Sequence, residues 1–171
     1  MTWFDMLLGS KEVVPLTEDE AKRLVDSAKN NVDKLVFLIE LNSGISMEEL
    51  LTIRVKDINF SDSTIAIFNT HVRTVRLPPK VINEIKGYLE RDYEDKLLIP
   101  IKRDMLQKRL AMYQNVVKFN WRVLRHTYTD LAIKKGVSLN IIAENIGIPV
   151  GAIAVAFARQ SKPGRQAVDV I

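Results

Sequence analysis

Arg122 and Arg125, one helical turn apart, are the residues of this chain best suited to chemistry on a phosphate group. Residues three positions apart on a helix share a face, and two guanidinium groups on one face can hold the oxygens of a phosphate. The plain alternative is a solvated or salt-bridged pair. We predict that Arg122 and Arg125 form a two-pronged phosphate site.

A second group of basic residues recurs at helical spacing shortly before these arginines. Its members are Lys102, Arg103, Lys108 and Arg109, with Met105, Leu106 and Leu110 behind them. This pattern is typical of a basic stripe that faces phosphates, and equally of an ordinary amphipathic helix. Both interpretations stay open, and the four cations are kept as candidate phosphate contacts.

The charge of the chain is unevenly distributed along its length. Residues 1–90 hold 11 Lys and Arg against 14 Asp and Glu, a net −3, whereas residues 91–171 hold 14 against 7, a net +7. A basic half favours a polyanion such as nucleic acid as the partner. Surface lysines that merely keep a protein soluble would give a similar distribution.

Composition limits the remaining classes of function. With 171 residues, 47% of them hydrophobic, the chain can bury one real core. It has no cysteine, so a thiolate metal site is excluded, and we predict no metal and no cofactor. The longest apolar run, residues 150–158, is far shorter than the ~20 residues that span a bilayer. We therefore predict a cytoplasmic protein, nucleoid-associated if it binds DNA, with no membrane partner and no small-molecule substrate.

Capping residues and a change of hydrophobic period predict the elements that position these side chains. Capping boxes at residues 17–20 and 46–49 each predict a helix start, and alternating or β-branched residues from 58 to 77 predict a three-stranded antiparallel meander. The predicted helices cover approximately residues 18–27, 32–41, 47–53, 79–91, 103–115, 121–135, 138–146 and 150–158. We predict a mostly helical α+β domain over residues 1–171, with a leader at 1–15 and a loose arm at 160–171.

Two boxes of this sequence resemble those of a known family. The segment Trp121-Arg-Val-Leu-Arg-His-Thr-Tyr128, followed by Gly136, Ile142 and Ile146-Gly147, is similar to the second signature box of the tyrosine recombinases, that is, phage integrases and Xer-like enzymes. The segment Gly44-Ile-Ser-Met-Glu-Glu-Leu50 is similar to their first box. The resemblance covers approximately residues 15–159 and implies the catalytic-domain fold of that family, with double-stranded DNA as partner. The N-terminal helical domain with which such enzymes clamp DNA is predicted to be absent.

The resemblance also implies which positions would carry catalysis. In that family a tyrosine attacks the phosphate, two arginines and two histidines surround it, and a hairpin lysine protonates the leaving oxygen. Counted without a gap, the first arginine position is Ser46, the lysine position Thr70, the histidine of the Leu-Gly-His string Ile148 and the nucleophile position Phe157. Losing the nucleophile removes the covalent route, so the substitutions predict that the chain is not an enzyme.

Few signature groups remain in this interpretation. The second arginine is present as Arg125, and Arg122 replaces the first histidine. Because hairpins slip in register, Arg73 is also expected within reach of the phosphate. Tyr128 is interpreted as a core aromatic residue and His71 as an exposed one.

Three functions remain open at this stage. The first is a catalytically inactive, integrase-like DNA-binding protein that acts as an accessory or regulator of site-specific recombination. The second is an interaction module that oligomerises with itself or with an active integrase through the C-terminal helix. The third is a helix-turn-helix regulator over residues 139–158, whose second helix offers no polar side chains to read bases.

Overall fold

The computed structural model describes residues 13–69 and 71–154. The predictions for the leader before residue 13, for Thr70 and Phe157, and for the arm at 160–171 lie outside the described residues. The helices are α1 (Glu18–Asp26), α2 (Asn31–Ser43), α3 (Met47–Leu50), α4 (Pro79–Leu89), α5 (Arg103–Ala111), α6 (Trp121–Lys134) and α7 (Leu139–Ile146). The strands are β1 (Ile58–Asn59), β2 (Thr64–Ile67) and β3 (Arg73–Arg76), preceded by a 3-10 turn at Val55–Asp57.

Two helices begin at the predicted positions, and a side chain caps each of them. The Thr17 hydroxyl accepts from the Glu20 amide at 3.2 Å, and the Glu20 carboxylate accepts from the Thr17 amide at 2.8 Å. Ser46 and Glu49 make the same reciprocal pair at the start of α3. Helix α2 ends at Gly44, whose φ of 65° is the left-handed conformation that glycine adopts without strain.

The three strands form one antiparallel sheet in the order β1-β2-β3, which confirms the predicted meander. Ile65 of β2 lies opposite Val75 of β3, and both are buried, so one face of the hairpin closes the core. The third strand is shorter than predicted and begins at Arg73. The fold class predicted from the sequence, a mostly helical α+β domain with a small antiparallel sheet, is therefore confirmed.

Helix α5 also differs from its prediction, since it ends at Ala111 instead of about residue 115. The chain leaves the helix because Tyr113 turns into the core and donates its hydroxyl to the carboxylate of Asp33 at 2.5 Å. The Tyr113 ring packs edge-on against Phe37, with centroids 5.1 Å apart. This contact ties the end of α5 to the beginning of α2.

Helix α2 is the centre of the domain and packs against α1, α4, α6 and α7. Phe37 and Ile39 on this helix are fully buried. A second, smaller cluster joins α6 to α7 and includes Tyr128 and Ile146. The helix α6, which packs against α2 in the core, is also the helix that contains Arg122 and Arg125. No helix in the described part of the chain is long and apolar enough to cross a membrane.

Candidate functional site

Helix α6 places Arg122 and Arg125 in its first two turns. Asn120 caps this helix by accepting from the Val123 amide at 2.9 Å, and Trp121 fixes its first turn by donating its indole N–H to the Ile45 carbonyl at 3.0 Å. The start of α6 is therefore anchored to the segment that follows Gly44. Two arginines on a fixed helix turn hold their guanidinium groups at a defined place.

Both arginines carry buried donors that lack an acceptor among the described residues. For Arg122 these are Nε and Nη2, and for Arg125 the donor is Nε. Arg125 uses Nη2 to donate to the Ile146 carbonyl at 3.0 Å. Buried donors are almost always paired, so these guanidinium groups have unused capacity for an anion. The arrangement fits the phosphate site predicted for the two arginines, and their contact with phosphate stays a prediction.

Burial and the neighbouring carboxylates have opposing effects on the pKa of Arg125. Burial lowers the pKa of its guanidinium, the carboxylates of Glu40, Glu49 and Glu48 raise it, and the nearby Arg73 guanidinium lowers it. A cation that is buried among acidic groups remains charged, since an arginine does not lose its proton in proteins. The site therefore holds a permanent positive charge close to carboxylates.

Arg73 lies in a buried ion pair. Its Nη1 and Nη2 donate to the two carboxylate oxygens of Glu49 at 2.7 and 2.9 Å, and the side chains are only 7% and 5% exposed. The same guanidinium donates to the Asn145 carbonyl at 3.1 Å and lies against Gly147, where a side chain would meet it at 2.9 Å. Arg73 thus joins β3 to α3 and α7, and its predicted contact with phosphate stays a prediction.

The other positions that the family resemblance pointed to are arranged as follows. Ser46 caps α3 and is paired with Glu49 as described above. Ile148 is buried in the second cluster beside α7. Thr70 and Phe157, the predicted lysine and nucleophile positions, lie outside the described residues.

The four cations of the predicted basic stripe do not act as one group. Arg103 forms an exposed ion pair with Glu48 at 2.6 Å, whereas Arg109 pairs with the buried Asp33 at 2.7 Å. Lys102 and Lys108 are exposed. Arg109 is therefore engaged at the N-terminal end of α2, whereas Lys102, Arg103 and Lys108 are exposed.

Tyr128 is a core aromatic residue, as its sequence context indicated. The residue is 6% exposed, its hydroxyl accepts from the Asn145 side chain at 2.9 Å, and burial raises its pKa to about 12. The side chain of Asn145 also bonds both backbone groups of Arg76, at 2.8 and 2.9 Å. The side-chain amide of Asn145 thus pairs with Arg76 as a backbone peptide group would, and it joins α7 to β3.

Sequence reasoning missed Glu40 and Asn145. Glu40 is fully buried on α2, and neither of its carboxylate oxygens has a partner among the described residues. The one available signal was an acidic residue inside a strongly apolar helix. Asn145 gave no signal, because its partners Arg76 and Tyr128 are 69 and 17 positions away in the sequence. No group of three or more metal-ligating side chains is present in the described ranges.

With this geometry in place, comparisons with known proteins define the class. The model of the Phage integrase family matches residues 15–148, and the chain belongs to that family. It is 28% identical over 142 residues to the tyrosine recombinase XerA of Saccharolobus solfataricus, which covers 80% of this chain and 49% of the relative. The chain spans about half the length of such curated relatives.

Solved structures share the fold. The crystal structure of XerA recombinase matches with a TM-score of 0.74 at 20% identity, over 86% of this chain and 59% of that one. The Tn1549 transposon integrase in complex with circular intermediate DNA matches with a TM-score of 0.65 at 15% identity, over 85% and 62%. The tyrosine-recombinase catalytic-domain fold inferred from the two boxes is therefore confirmed.

The prediction that this chain is not an enzyme is wrong by the same comparisons. The relatives are named tyrosine recombinases, and the family is one of catalytic proteins. The prediction depended most on a nucleophile position counted without a gap to Phe157, which lies outside the described residues. Nothing in the described residues shows an inactive site.

Proposed function

We propose that this chain binds double-stranded DNA in site-specific recombination and that Arg125 and Arg122 contact backbone phosphates. The observation that carries the proposal is the set of buried guanidinium donors on the first turns of α6 that have no acceptor in the described part of the chain. Phosphate oxygens are the acceptors that suit such planar, permanently charged groups. The net charge of +7 over residues 91–171 and the recombinases among the relatives support the same partner.

The proposal includes a place in the recombination reaction as an accessory or regulator of strand exchange. A phosphate clamp without base-reading side chains would bind mainly through electrostatics, with weak sequence preference and strong dependence on salt. A nicked suicide duplex distinguishes an accessory role from a catalytic one. Only a chain that cleaves the strand itself leaves a covalent protein–DNA adduct in a denaturing gel.

Replacing Arg125 with alanine is expected to weaken duplex binding by about 10- to 100-fold, because hydrogen bonds to charged groups contribute ~1.5–3 kcal/mol. Fluorescence anisotropy with a labelled duplex measures the dissociation constant, starting at about 50 mM salt and repeated at higher salt. The slope of log Kd against log salt should fall by about one. Arg125→Lys, which keeps the charge and loses the planar fork, should give an intermediate loss.

Arg23→Ala on the outer face of α1 is the matched control, since Arg23 is an exposed arginine in the last turn of that helix. It should leave the affinity within about twofold of the wild-type value. Equal affinities for the wild type and Arg125→Ala, or no binding at low salt, would refute the proposal.

A second candidate function, self-association, is favoured by an apolar groove of about 610 Å³ between α1, α2, α6 and α7. Leu38, Leu41, Leu131 and Ile141 contribute to its walls, together with two acidic and four basic residues, namely Glu18, Asp26, Lys22, Arg76, Lys80 and Lys135. The proposed occupant is the C-terminal segment of a second copy, because residues 155–171 include the apolar residues Val155, Phe157 and Val168. Such a segment would match the groove in its apolar character.

Light scattering coupled to size-exclusion chromatography tests this candidate. We expect a dimer that forms with increasing protein concentration and dissociates when residues 160–171 are removed or when Leu131 is replaced by glutamate. Met105→Glu, which adds the same charge at an exposed apolar side chain outside the groove, should leave the dimer intact. A concentration-independent monomer excludes self-association.

A further inference from the structure

Glu40 is a carboxylate in an unusual setting. It lies on the central helix α2 with no exposed surface, and neither of its oxygens accepts a hydrogen bond from any described residue. Buried carboxylates are normally paired or hydrogen-bonded, because an isolated buried charge is costly. A side chain in this position requires a reason other than packing.

Arg125 lies on α6 and has an unused buried donor, whereas Glu40 has unused buried acceptors, among the described residues. Helices α2 and α6 pack against each other, and the buried Nε of Arg125 also lacks an acceptor among the described residues. The two groups therefore attract each other through space without forming a hydrogen bond. The Nε of the guanidinium thus has no acceptor among the described residues, while the buried carboxylate of Glu40 acts on it electrostatically.

The charged groups that act on Glu40 come from two elements. Burial raises its pKa well above the usual range, Arg125 on α6 lowers it, and Glu49 on α3 raises it further. Glu49 is itself held by Arg73 of β3. The surroundings of Glu40 thus favour its protonated form, whereas Glu49 beside it is held in an ion pair.

We propose that Glu40 is a proton-dependent counter-ion of Arg125 and a positioning residue that sets how strongly Arg125 takes up a DNA phosphate. When Glu40 is protonated, Arg125 loses the strongest of the negative charges that act on it and binds the phosphate more tightly. When Glu40 is ionised, its carboxylate competes with the phosphate for the same guanidinium. This inference rests on the proposed function, in which Arg125 contacts DNA.

Linkage gives the direction of the pH dependence. A bound phosphate brings a second negative charge to Arg125, which disfavours the ionised form of Glu40, so DNA binding takes up a proton. Affinity is then highest below the pH range in which Glu40 titrates and falls as the pH rises through it. A displacement of this titration by one pH unit in the complex corresponds to about a tenfold change in Kd.

The test compares wild type and Glu40→Gln by fluorescence anisotropy on one labelled duplex, from about pH 5.5 to about pH 8.5 at constant ionic strength. We expect the Kd of the wild type to increase with pH, by up to about tenfold for each pH unit by which bound DNA displaces the titration of Glu40. Glu40→Gln should bind tightly throughout, with a much flatter profile, and Glu40→Met should do the same because it also carries no charge. All of these proteins retain His71 and His126, so the two histidines do not distinguish them.

Glu84→Gln is the matched control, since Glu84 is an exposed carboxylate on α4 that pairs with Lys34. It should reproduce the wild-type profile. Parallel profiles for wild type and Glu40→Gln overturn the inference, and Arg125-dependent binding would still uphold the proposed function. Weaker binding of both Glu40 variants at every pH also overturns it, because Glu40 would then support Arg125 by attraction alone. If the wild type binds no DNA at any pH, the proposed function fails and this inference fails with it.

Discussion

Glu49→Ala is expected to lower the free energy of unfolding by about 3–5 kcal/mol, the usual loss when one partner of a buried ion pair is removed. The substitution leaves the Arg73 guanidinium, whose side chain is 7% exposed, without its carboxylate. It also removes half of the capping box at Ser46, which contributes to the same loss. Urea unfolding followed by circular dichroism measures the difference.

An exposed ion pair of the same chain provides the control. Lys34 and Glu84 lie 3.1 Å apart with side chains 40% and 47% exposed, so Glu84→Ala should cost less than about 1 kcal/mol. Both variants remove one carboxylate from an ion pair, so the difference between their losses of stability reports mainly the effect of burial. Similar losses in both variants would show that the Arg73–Glu49 pair is no more important than a surface contact.

The local parts of this fold could be predicted from the sequence because short-range rules determine them. The hydroxyl of Ser46 and the carboxylate of Glu49 are three residues apart, and that spacing alone specifies the cap of α3. Gly44 ends α2 in the left-handed conformation for an equally local reason. Alternation in residues 58–77 was sufficient for the order of the sheet.

The parts that could not be predicted depend on long-range side-chain contacts. Arg73 pairs with Glu49 over 24 positions and with the Asn145 carbonyl over 72, and no periodicity indicates such partners. The role of the basic stripe could not be predicted for the same reason. The ion pair between Arg109 and Asp33 depends on where α5 meets α2. The site predicted from residue types therefore contained the arginines of α6 but not the carboxylates near them, and its contact with phosphate stays a prediction.

The error about enzymatic activity has a related cause. The prediction came from single substituted positions such as Ser46 and Phe157, whereas the match to catalytic relatives extends over most of the chain. Ser46 has a structural role as a cap, which accounts for the residue without reference to chemistry. A residue type at one aligned position therefore says less about activity than the arrangement of all groups around the phosphate.

Gly44→Ala is expected to cost about 2–4 kcal/mol of folding stability, for two reasons that add. At φ 65° any side chain is strained, which costs about 1–2 kcal/mol. An added Cβ would also lie 2.7 Å from Cδ1 of Tyr128, and overpacking a core typically costs about 1–3 kcal/mol. The Tyr128 ring cannot simply move away, because Asn145 holds its hydroxyl.

Gly87→Ala on α4 is the control for Gly44→Ala, since an added Cβ there meets nothing within 4 Å. Replacing a helical glycine with alanine should stabilise the chain by about 0.5–1 kcal/mol. Thermal unfolding of both variants should therefore move Tm in opposite directions. Because Gly44 leads from the helix of Glu40 to the cap at Ser46, its variant should also weaken DNA binding under conditions in which it stays folded. A Gly44→Ala variant as stable as the wild type would show that Tyr128 is free to move and that the junction of α2 with α6 is not fixed by this contact.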